Sequence, residues 1–367
     1  MNLAIMIRAM SLAMCISVSW PLQAAVDDTH DNSHKEAFFA TLATNNRSPG
    51  SALPLSAKME YLSATLLGTL YLDGNLGEGE QGKYDRDPLS RFDVFDCTTY
   101  VETVLAGAMS ASADEFVNKL TAIRYKSGEV SFVTRNHFPS VDWIPNNQDK
   151  LTDISAQIAG DKVQMANTVI DKRAWYQQMG ESRIQGIDTT PEHKAALLAA
   201  LQQEGKDFSP QPVSTPYVPL TAVFISQPAS EQMLQQRQLA RAAIEKDDSL
   251  DDMAKQKALH ELELKAYIED STINTALLDS IPTGSVISMV RPDYDIKKWI
   301  GTNMNISHQA LAIQMQDGLY IRHASAVYHK VVDENFVEYF SRYLVGSSLK
   351  GFNVQVLKQM PIGSTVP

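Results

Sequence analysis

The sequence contains few positively charged residues relative to its acidic ones. Lysine and arginine contribute 32 residues against 43 aspartates and glutamates, so the 367-residue chain carries a formal net charge of -11. Nucleic acids and anionic lipids reward clustered Lys and Arg, and no basic stripe offsets the acidic excess. The composition therefore argues against either as the main partner and favours a substrate that is neutral or mixed in charge.

Long hydrophobic runs are also scarce. The run at residues 9–20 is shorter than the roughly 20 residues that a membrane-spanning helix needs. It follows Arg8 and precedes Ala24 and Ala25, which is the order of features in a cleaved secretory signal; a membrane anchor is the alternative. We expect residues 1–25 to be removed, leaving a periplasmic or secreted protein without an integral membrane segment.

Cysteine occurs only twice, as Cys15 in the predicted signal and as Cys97. Removal of the signal leaves Cys97 alone, which excludes an internal disulfide in the mature chain. A lone thiol in an oxidising compartment is either buried or used in chemistry. The count by itself leaves both interpretations open.

Motifs for phosphate and metal binding are missing. A phosphate-binding loop needs Gly-Lys-Ser or Gly-Lys-Thr opening a helix, and the glycines of residues 74–82 are too scattered to form one. His-Glu-x-x-His does not occur, and the eight histidines form no zinc-hydrolase pair with carboxylates. We therefore predict no cofactor and no metal centre.

The order of the predicted elements, helices first and strands last, indicates an α+β protein. Residues 26–50 are polar and predict a mobile lead-in with one short helix. Residues 51–180 are predicted as the N-terminal helical half of the catalytic domain, and residues 273–367 as its C-terminal β-sheet half. Residues 181–272 are predicted as a helical insertion between the two halves.

Within the insertion, Thr190 as N-cap, Pro191 at the first helical position and Gly205 at the end delimit one helix. Residues 229–270 predict polar helices that break near residues 247–252. Such a charge run is typical of a solvated helical face.

Cys97 stands at the start of a predicted helix. Asp96 suits the N-cap, and Val101, Val104 and Leu105 follow at the spacing of one helical face. The first turn of a helix has unpaired N–H groups and favours an anion. The position therefore predicts a thiol that is held as a thiolate, with a lowered pKa.

Two histidines lie on predicted paired strands near the C-terminus. His308 opens one apolar strand and His323 ends the next, with a hairpin turn between them. A tight turn at Asp317 and Gly318 leaves them about four residues out of opposition, roughly 13 Å at strand rise, so a bulge or wider loop is required. Either histidine taken alone is more typical of a surface or satisfied core residue.

Several segments resemble the NlpC-type papain-like cell-wall hydrolases. Residues 95–101, Phe-Asp-Cys-Thr-Thr-Tyr-Val, resemble their cysteine element, and residues 67–71 resemble their upstream tyrosine element. Residues 307–313 and 319–325 resemble their histidine strand and the strand that carries the third polar residue.

Within that superfamily the chain is most similar to the group described as N-acetylmuramoyl-L-alanine amidase-like. That group shares a Glu-Thr-Val after the cysteine element, here residues 102–104. It also has an Arg-x-His-Phe/Tyr element ahead of Asp-Trp, here residues 135–138 and 142–143. The resemblance does not extend to residues 180–270.

The resemblance implies a papain-like fold, with a helix-borne cysteine packed on an antiparallel sheet, and hydrolysis of an amide bond in peptidoglycan. It implies Cys97 as nucleophile, His308 as base and His323 as the orienting residue, with the Cys97 N–H and Tyr71 stabilising the oxyanion. The expected bond joins the muramoyl lactyl group to L-alanine. The alternatives are the bond between D-glutamate and the diamino acid of the stem, or a catalytically silent wall-binding protein. We expect a monomer.

Candidate substrate-binding residues complete the prediction. Peptide stems carry carboxylates, which a planar guanidinium suits. The candidates are Tyr71, Asp96, Arg135, His137 and Trp143. The alternative is that Trp143 belongs to the core and that Arg135 pairs with a neighbouring acid.

Overall fold

The computed structural model describes residues 28–45 and 53–358, so the predicted signal, residues 1–25, lies outside the described residues. The helices are α1 (Asp28–Asn45), α2 (Leu55–Ala64), α3 (Cys97–Met109), α4 (Ala113–Arg124), α5 (Ile144–Asn146), α6 (Ser155–Ala159), α7 (Lys172–Gln178), α8 (Pro191–Glu204), α9 (Leu220–Val223), α10 (Glu231–Glu245), α11 (Asp252–Glu269), α12 (Thr275–Asp279), α13 (Lys297–Ile300) and α14 (Phe336–Ser341). None of these described helices is both long and apolar enough to cross a membrane.

The strands form one large sheet and one small one. They are β1 (Leu70–Tyr71), β2 (Val94–Phe95), β3 (Leu151–Asp153), β4 (Gln164–Ile170), β5 (Gln211–Pro219), β6 (Phe224–Ser226), β7 (Ser271–Ile273), β8 (Val286–Tyr294), β9 (Met304–Met315), β10 (Gly318–Ser325), β11 (Lys330–Asn335) and β12 (Gly351–Leu357). The large sheet has ten strands in the order β2-β1-β11-β10-β9-β8-β12-β5-β4, with β3 attached to β12, while β6 pairs with β7. Its central strands are antiparallel, and β1 and β2 are parallel. The prediction of an α+β protein with a mostly antiparallel sheet is confirmed.

Helices cover both faces of the central strands. Successive residues of a strand point to opposite faces of the sheet, and β9 contributes to a core on each side. Leu311 packs in one core with Val101 and Val104 of α3. Ala310 and Ala312 pack in the other core with α12 and α14. The helix that begins with Cys97 is therefore held against the strand that carries His308.

The lead-in is more ordered than the sequence predicts. An 18-residue helix, α1, occupies most of it, and its Phe38 and Leu42 are buried in the main core. The Phe38 ring lies 5.2 Å from Phe92 and 5.6 Å from Phe116, measured between ring centroids. The expectation of a mobile segment is wrong for this helix, because its few apolar side chains meet aromatics distant in sequence.

The insertion is only partly helical. The predicted cap is confirmed, since the Thr190 hydroxyl accepts from the backbone N–H of His193, and α10 and α11 flank the predicted break. However, β5 lies in the large sheet between β12 and β4. Its prolines, 212, 216 and 219, are unusual within a sheet and obscured this strand in the sequence. The expectation of a helical insertion therefore misses the strand β5.

Gly107 on α3 lies directly against the Phe38 side chain of α1. A Cβ there would lie 2.4 Å from Cζ of Phe38. We expect Gly107→Ala to lower the free energy of unfolding by about 1–3 kcal/mol, because overpacking outweighs the better helix propensity of alanine. Urea unfolding measures the change. Gly180→Ala is the control, since its Cβ would meet no atom within 4 Å; equal stability of the two variants would contradict the docking of α1.

Candidate active site

Asp96 caps the helix that carries the cysteine. Its Oδ1 accepts from the backbone N–H of Thr98 at 3.0 Å and of Thr99 at 2.8 Å, and the Thr99 hydroxyl accepts from the Asp96 N–H at 3.0 Å. This reciprocal pairing confirms the predicted N-cap and makes Cys97 the first residue of α3. Asn75 donates to the other oxygen of Asp96 at 3.3 Å. The Asp96 carboxylate, a candidate substrate-binding group, is thus occupied in shaping the helix start.

The Cys97 thiol is half-buried and faces β9. Thr98 Oγ1 lies 3.9 Å from Sγ, and the backbone of Gln309 hydrogen-bonds the sulfur. Burial, followed by the negative charge of Asp96, raises the pKa of the thiol to about 12. The expectation of a lowered pKa is wrong in direction, because desolvation and a capping carboxylate outweigh the helix N-terminus.

His308 and His323 are in direct contact. His308 Nε2 lies 2.7 Å from His323 Nδ1, and the ring planes are nearly perpendicular. The hairpin register pairs Met315 with Gly318, so the turn falls at residues 316–317, one residue earlier than predicted. Continued along the strands, this register leaves the histidines two residues out of opposition. Diagonal neighbours of this kind are within reach of long side chains.

The expectation that a bulge or wider loop is required between β9 and β10 is therefore wrong. A bulge does occur on the other side of β9, where His308 pairs with Met289 but Ile306 pairs with Val290. Ser307 is the extra residue. Bulges next to a functional group re-aim the neighbouring side chains.

A carboxylate that the sequence analysis missed completes the series. Glu334 on β11 is buried, and its Oε2 lies 2.9 Å from His323 Nε2. Arg342 pairs with its other oxygen, Oε1. The available signal was an acidic residue inside a short strand that is followed by buried Phe336, since a buried carboxylate is almost always paired.

Protonation states follow from these contacts. Burial lowers the pKa of His323 to about 4, despite the opposing hydrogen bond to Glu334. Burial tends to raise the pKa of Glu334, but His323 and Arg342 outweigh it and the net direction is downward. At neutral pH the Glu334 carboxylate is charged and His323 is neutral.

The hydrogen bonds then have one direction. A charged carboxylate only accepts, so His323 donates from Nε2 to Glu334 and accepts at Nδ1 from His308 Nε2. A neutral His308 consequently carries its lone pair on Nδ1. The Glu334-His323-His308 series prepares that nitrogen to take a proton.

The thiol and this imidazole line the same cavity. It has a volume of about 210 Å³, and Cys97, His308, His323, Glu334 and Arg291 are among its lining residues. Within the part of the chain that the structure describes, no group of three or more His, Cys, Asp or Glu side chains could hold a metal ion. The arrangement suits proton transfer from sulfur to nitrogen and nucleophilic attack by sulfur.

The other predicted substrate-binding residues do not line this cavity. Trp143 has 0% exposure, and its Nε1 donates to Glu102 at 3.0 Å, so two elements of the family resemblance meet in the core. Arg135 forms ion pairs with Glu78 and Asp85. The structure favours the alternative interpretation for both, a core tryptophan and an acid-paired arginine.

His137 and Tyr71 are placed similarly. His137 Nε2 lies 2.7 Å from the carbonyl oxygen of Phe132, and burial and three nearby cations hold the pKa of His137 well below its usual value. Tyr71 on β1 is half-buried and is not among the cavity-lining residues. Neither side chain is among the residues that line the cavity of Cys97.

The raised pKa of Cys97 predicts slow alkylation. Because only the thiolate reacts, the rate of modification by iodoacetamide should rise about tenfold per pH unit from about pH 7 to about pH 9. Mass spectrometry of the Cys97 peptide separates this signal from Cys15. Glutathione, whose rate levels off near its ordinary thiol pKa, is the reference. A rate at Cys97 that is already independent of pH below about pH 8 would show a resting thiolate and contradict the prediction.

Comparison with solved structures shows that other proteins have a fold similar to that of this chain. A crystal structure of a Legionella pneumophila protein has a TM-score of 0.70 at 29% identity and covers 89% of this chain and 96% of that chain. Two crystal structures named as an N-acetylmuramoyl-L-alanine amidase of Bacteroides uniformis have TM-scores of 0.51 and 0.50 at 17% and 18% identity. Each covers 83% of this chain and 99% of that chain. At these lower identities the likeness concerns the fold alone.

Comparison with sequence families reaches further. No curated protein matches the chain significantly. A model of the AmiA-like family, described as N-acetylmuramoyl-L-alanine amidase-like, matches residues 61–236 and 219–344. These segments include Cys97, His308, His323 and Glu334. The protein belongs to the AmiA-like, N-acetylmuramoyl-L-alanine amidase-like family.

Proposed function

We propose that this protein is a cysteine hydrolase that cleaves the amide bond between the muramoyl lactyl group and L-alanine in peptidoglycan. The observation that carries the proposal is the Glu334-His323-His308 series, which ends in the cavity that Cys97 lines. Membership in the amidase-like family supports the reaction class, and the amidase name of the Bacteroides uniformis neighbours supports the choice of bond.

The first step starts from a neutral thiol, since burial and nearby carboxylates disfavour the thiolate. His308 Nδ1 accepts the thiol proton while the sulfur bonds to the amide carbonyl carbon. The imidazolium that forms keeps its other N–H on His323, which in turn donates to Glu334. The carboxylate thereby stabilises the positive charge that develops on His308 without touching the substrate.

The carbonyl oxygen becomes an oxyanion in this step. The backbone N–H of Cys97, at the start of α3, is the donor that we assign to it. His308 then gives its proton to the nitrogen of L-alanine, the C–N bond breaks, and a thioester remains on Cys97. Water attacks the thioester as His308 takes its proton, which releases the lactyl carboxylate and restores the thiol.

A papain-like, NlpC-type placement accompanies this mechanism. It is supported by the cysteine at the start of α3, by the packing of α3 on β9, and by the order of cysteine and histidine along the chain. We also propose that the protein acts in the periplasm or outside the cell. The signal-like residues 1–25 and the location of peptidoglycan support this placement.

Removal of the thiol should abolish hydrolysis. We expect Cys97→Ala to lower the rate on purified muropeptides on the order of 10⁴-fold or more, because the covalent step is lost. Mass spectrometry of the products should show glycans with a free lactyl carboxylate and stem peptides that begin with L-alanine. Thr44→Ala, an exposed change on α1, is the control and should leave the rate unchanged.

Other product patterns decide against the proposal. Stems cut after D-glutamate would replace the amidase by an endopeptidase with the same nucleophile. If the unaltered protein releases no product, the remaining interpretation is a protein that binds the cell wall without catalysis. Equal activity of the unaltered protein and Cys97→Ala would remove Cys97 from the mechanism.

Glu334 should matter for turnover rather than for substrate affinity. We expect Glu334→Gln to lower kcat by about tenfold to hundredfold with little change in KM, because an amide no longer fixes the proton positions on His323 and His308. Steady-state kinetics on a muropeptide measure both constants.

Glu338→Gln is the matched control, because Glu338 is exposed and lies on α14, only four residues after Glu334. It should retain the parent kcat. A Glu334→Gln variant that keeps the parent kcat, or that loses activity only through a raised KM, would remove the positioning role.

A further inference from the structure

Arg291 is a cation in the catalytic cavity without a carboxylate partner. It lies near the end of β8 and lines the same cavity as Cys97 and His308. Its Nε donates to the Ser307 hydroxyl at 2.9 Å, and its Nη1 donates to the Ser348 hydroxyl at 2.6 Å. Among the described residues it forms no ion pair.

The guanidinium is fixed in place by these contacts. Its carbon lies 5.3 Å from the Tyr294 ring centroid and 5.6 Å from that of Tyr343. Ser307 is the bulged residue directly before His308, so the same irregularity that positions the base also supports the arginine. Two hydroxyls and two aromatic rings orient a full positive charge but do not neutralise it.

The Arg291 guanidinium still has free N–H donors on the two nitrogens that a carboxylate would bind, Nη1 and Nη2. A guanidinium has five N–H donors, and the two serines use one on Nε and one on Nη1. The other N–H of Nη1 and both of Nη2 have no partner among the described residues. Those two nitrogens form the fork that binds a carboxylate through two parallel hydrogen bonds.

Arg342 and Arg135 differ from Arg291 in this respect. Arg342, which lines the same cavity, is paired with Glu334, and Arg135 is paired with Glu78 and Asp85. A partly buried charge that lacks a counterion is costly unless a ligand supplies one. The missing counterion is therefore expected from the substrate.

We propose that Arg291 binds a free carboxylate of the peptide stem and selects substrates that carry it. The inference rests on the proposed function, which places the stem in this cavity. In a stem linked through the γ-carboxyl of D-glutamate, the α-carboxylate of that residue is the first free carboxylate beyond the scissile bond. Arg291 takes the recognition role that the sequence suggested for Arg135.

Binding without turnover tests the proposal. In the Cys97→Ala protein, calorimetry compares N-acetylmuramoyl-L-alanyl-D-glutamate with its α-amide, N-acetylmuramoyl-L-alanyl-D-isoglutamine. We expect the carboxylate ligand to bind at least about tenfold more tightly, as for a charged hydrogen bond that is lost in the amide. Adding Arg291→Met should remove this preference while leaving the affinity for the amide ligand nearly unchanged.

Two further variants separate recognition from folding. Arg291→Lys keeps the charge without the fork and should retain only part of the preference. Arg241→Met, at an exposed arginine of α10, should retain all of it. The proposal is overturned if the Cys97→Ala protein that retains Arg291 binds the two ligands with equal affinity, or binds neither. This outcome does not depend on how any Arg291 variant folds. The proposed hydrolysis fails separately, if the unaltered protein releases no product from muropeptides.

Discussion

The contact between His308 and His323 is the constraint on which the site depends. A tight turn at residues 316–317 sets the register of β9 and β10, and that register places the two rings as diagonal neighbours at 2.7 Å. Glu334 reaches His323 from the next strand, β11, in the same sheet. A shift of one residue in either pairing would turn a ring to the opposite face and break the series.

Burial decides the charge states in this series. His323 is 2% exposed, which keeps it neutral, whereas Glu334 stays charged because His323 and Arg342 both hydrogen-bond to it. The proton positions on both rings then follow from one buried carboxylate. The same desolvation acts on Cys97 and keeps the thiol neutral, so the attack that we propose for its sulfur requires a base.

Ion pairing separates the structural arginines from the one that we assign to recognition. Arg135 compensates two buried carboxylates, and Trp143 donates to a third, so this part of the family motif shapes the core around α3. Arg291 instead donates hydrogen bonds to two serine hydroxyls and packs near two aromatic rings, next to a bulge in β9. The distinction lies in what neutralises each charge, which residue type and spacing do not reveal.

The sequence by itself determined the local features of this protein. It identified Asp96 as a cap with Cys97 after it, the helix from Thr190 to Gly205, the break between α10 and α11, and the strands that carry His308 and His323. Each of these depends on residues within one or two turns of each other, where caps, periodicity and turn residues act.

Only the tertiary structure decided the docking of α1, the place of β5 in the sheet, the part played by Glu334, the neutral state of the Cys97 thiol and the pairing of each arginine. These features arise from contacts between residues far apart in the chain and from the loss of water on burial, and neither leaves a local pattern in the sequence.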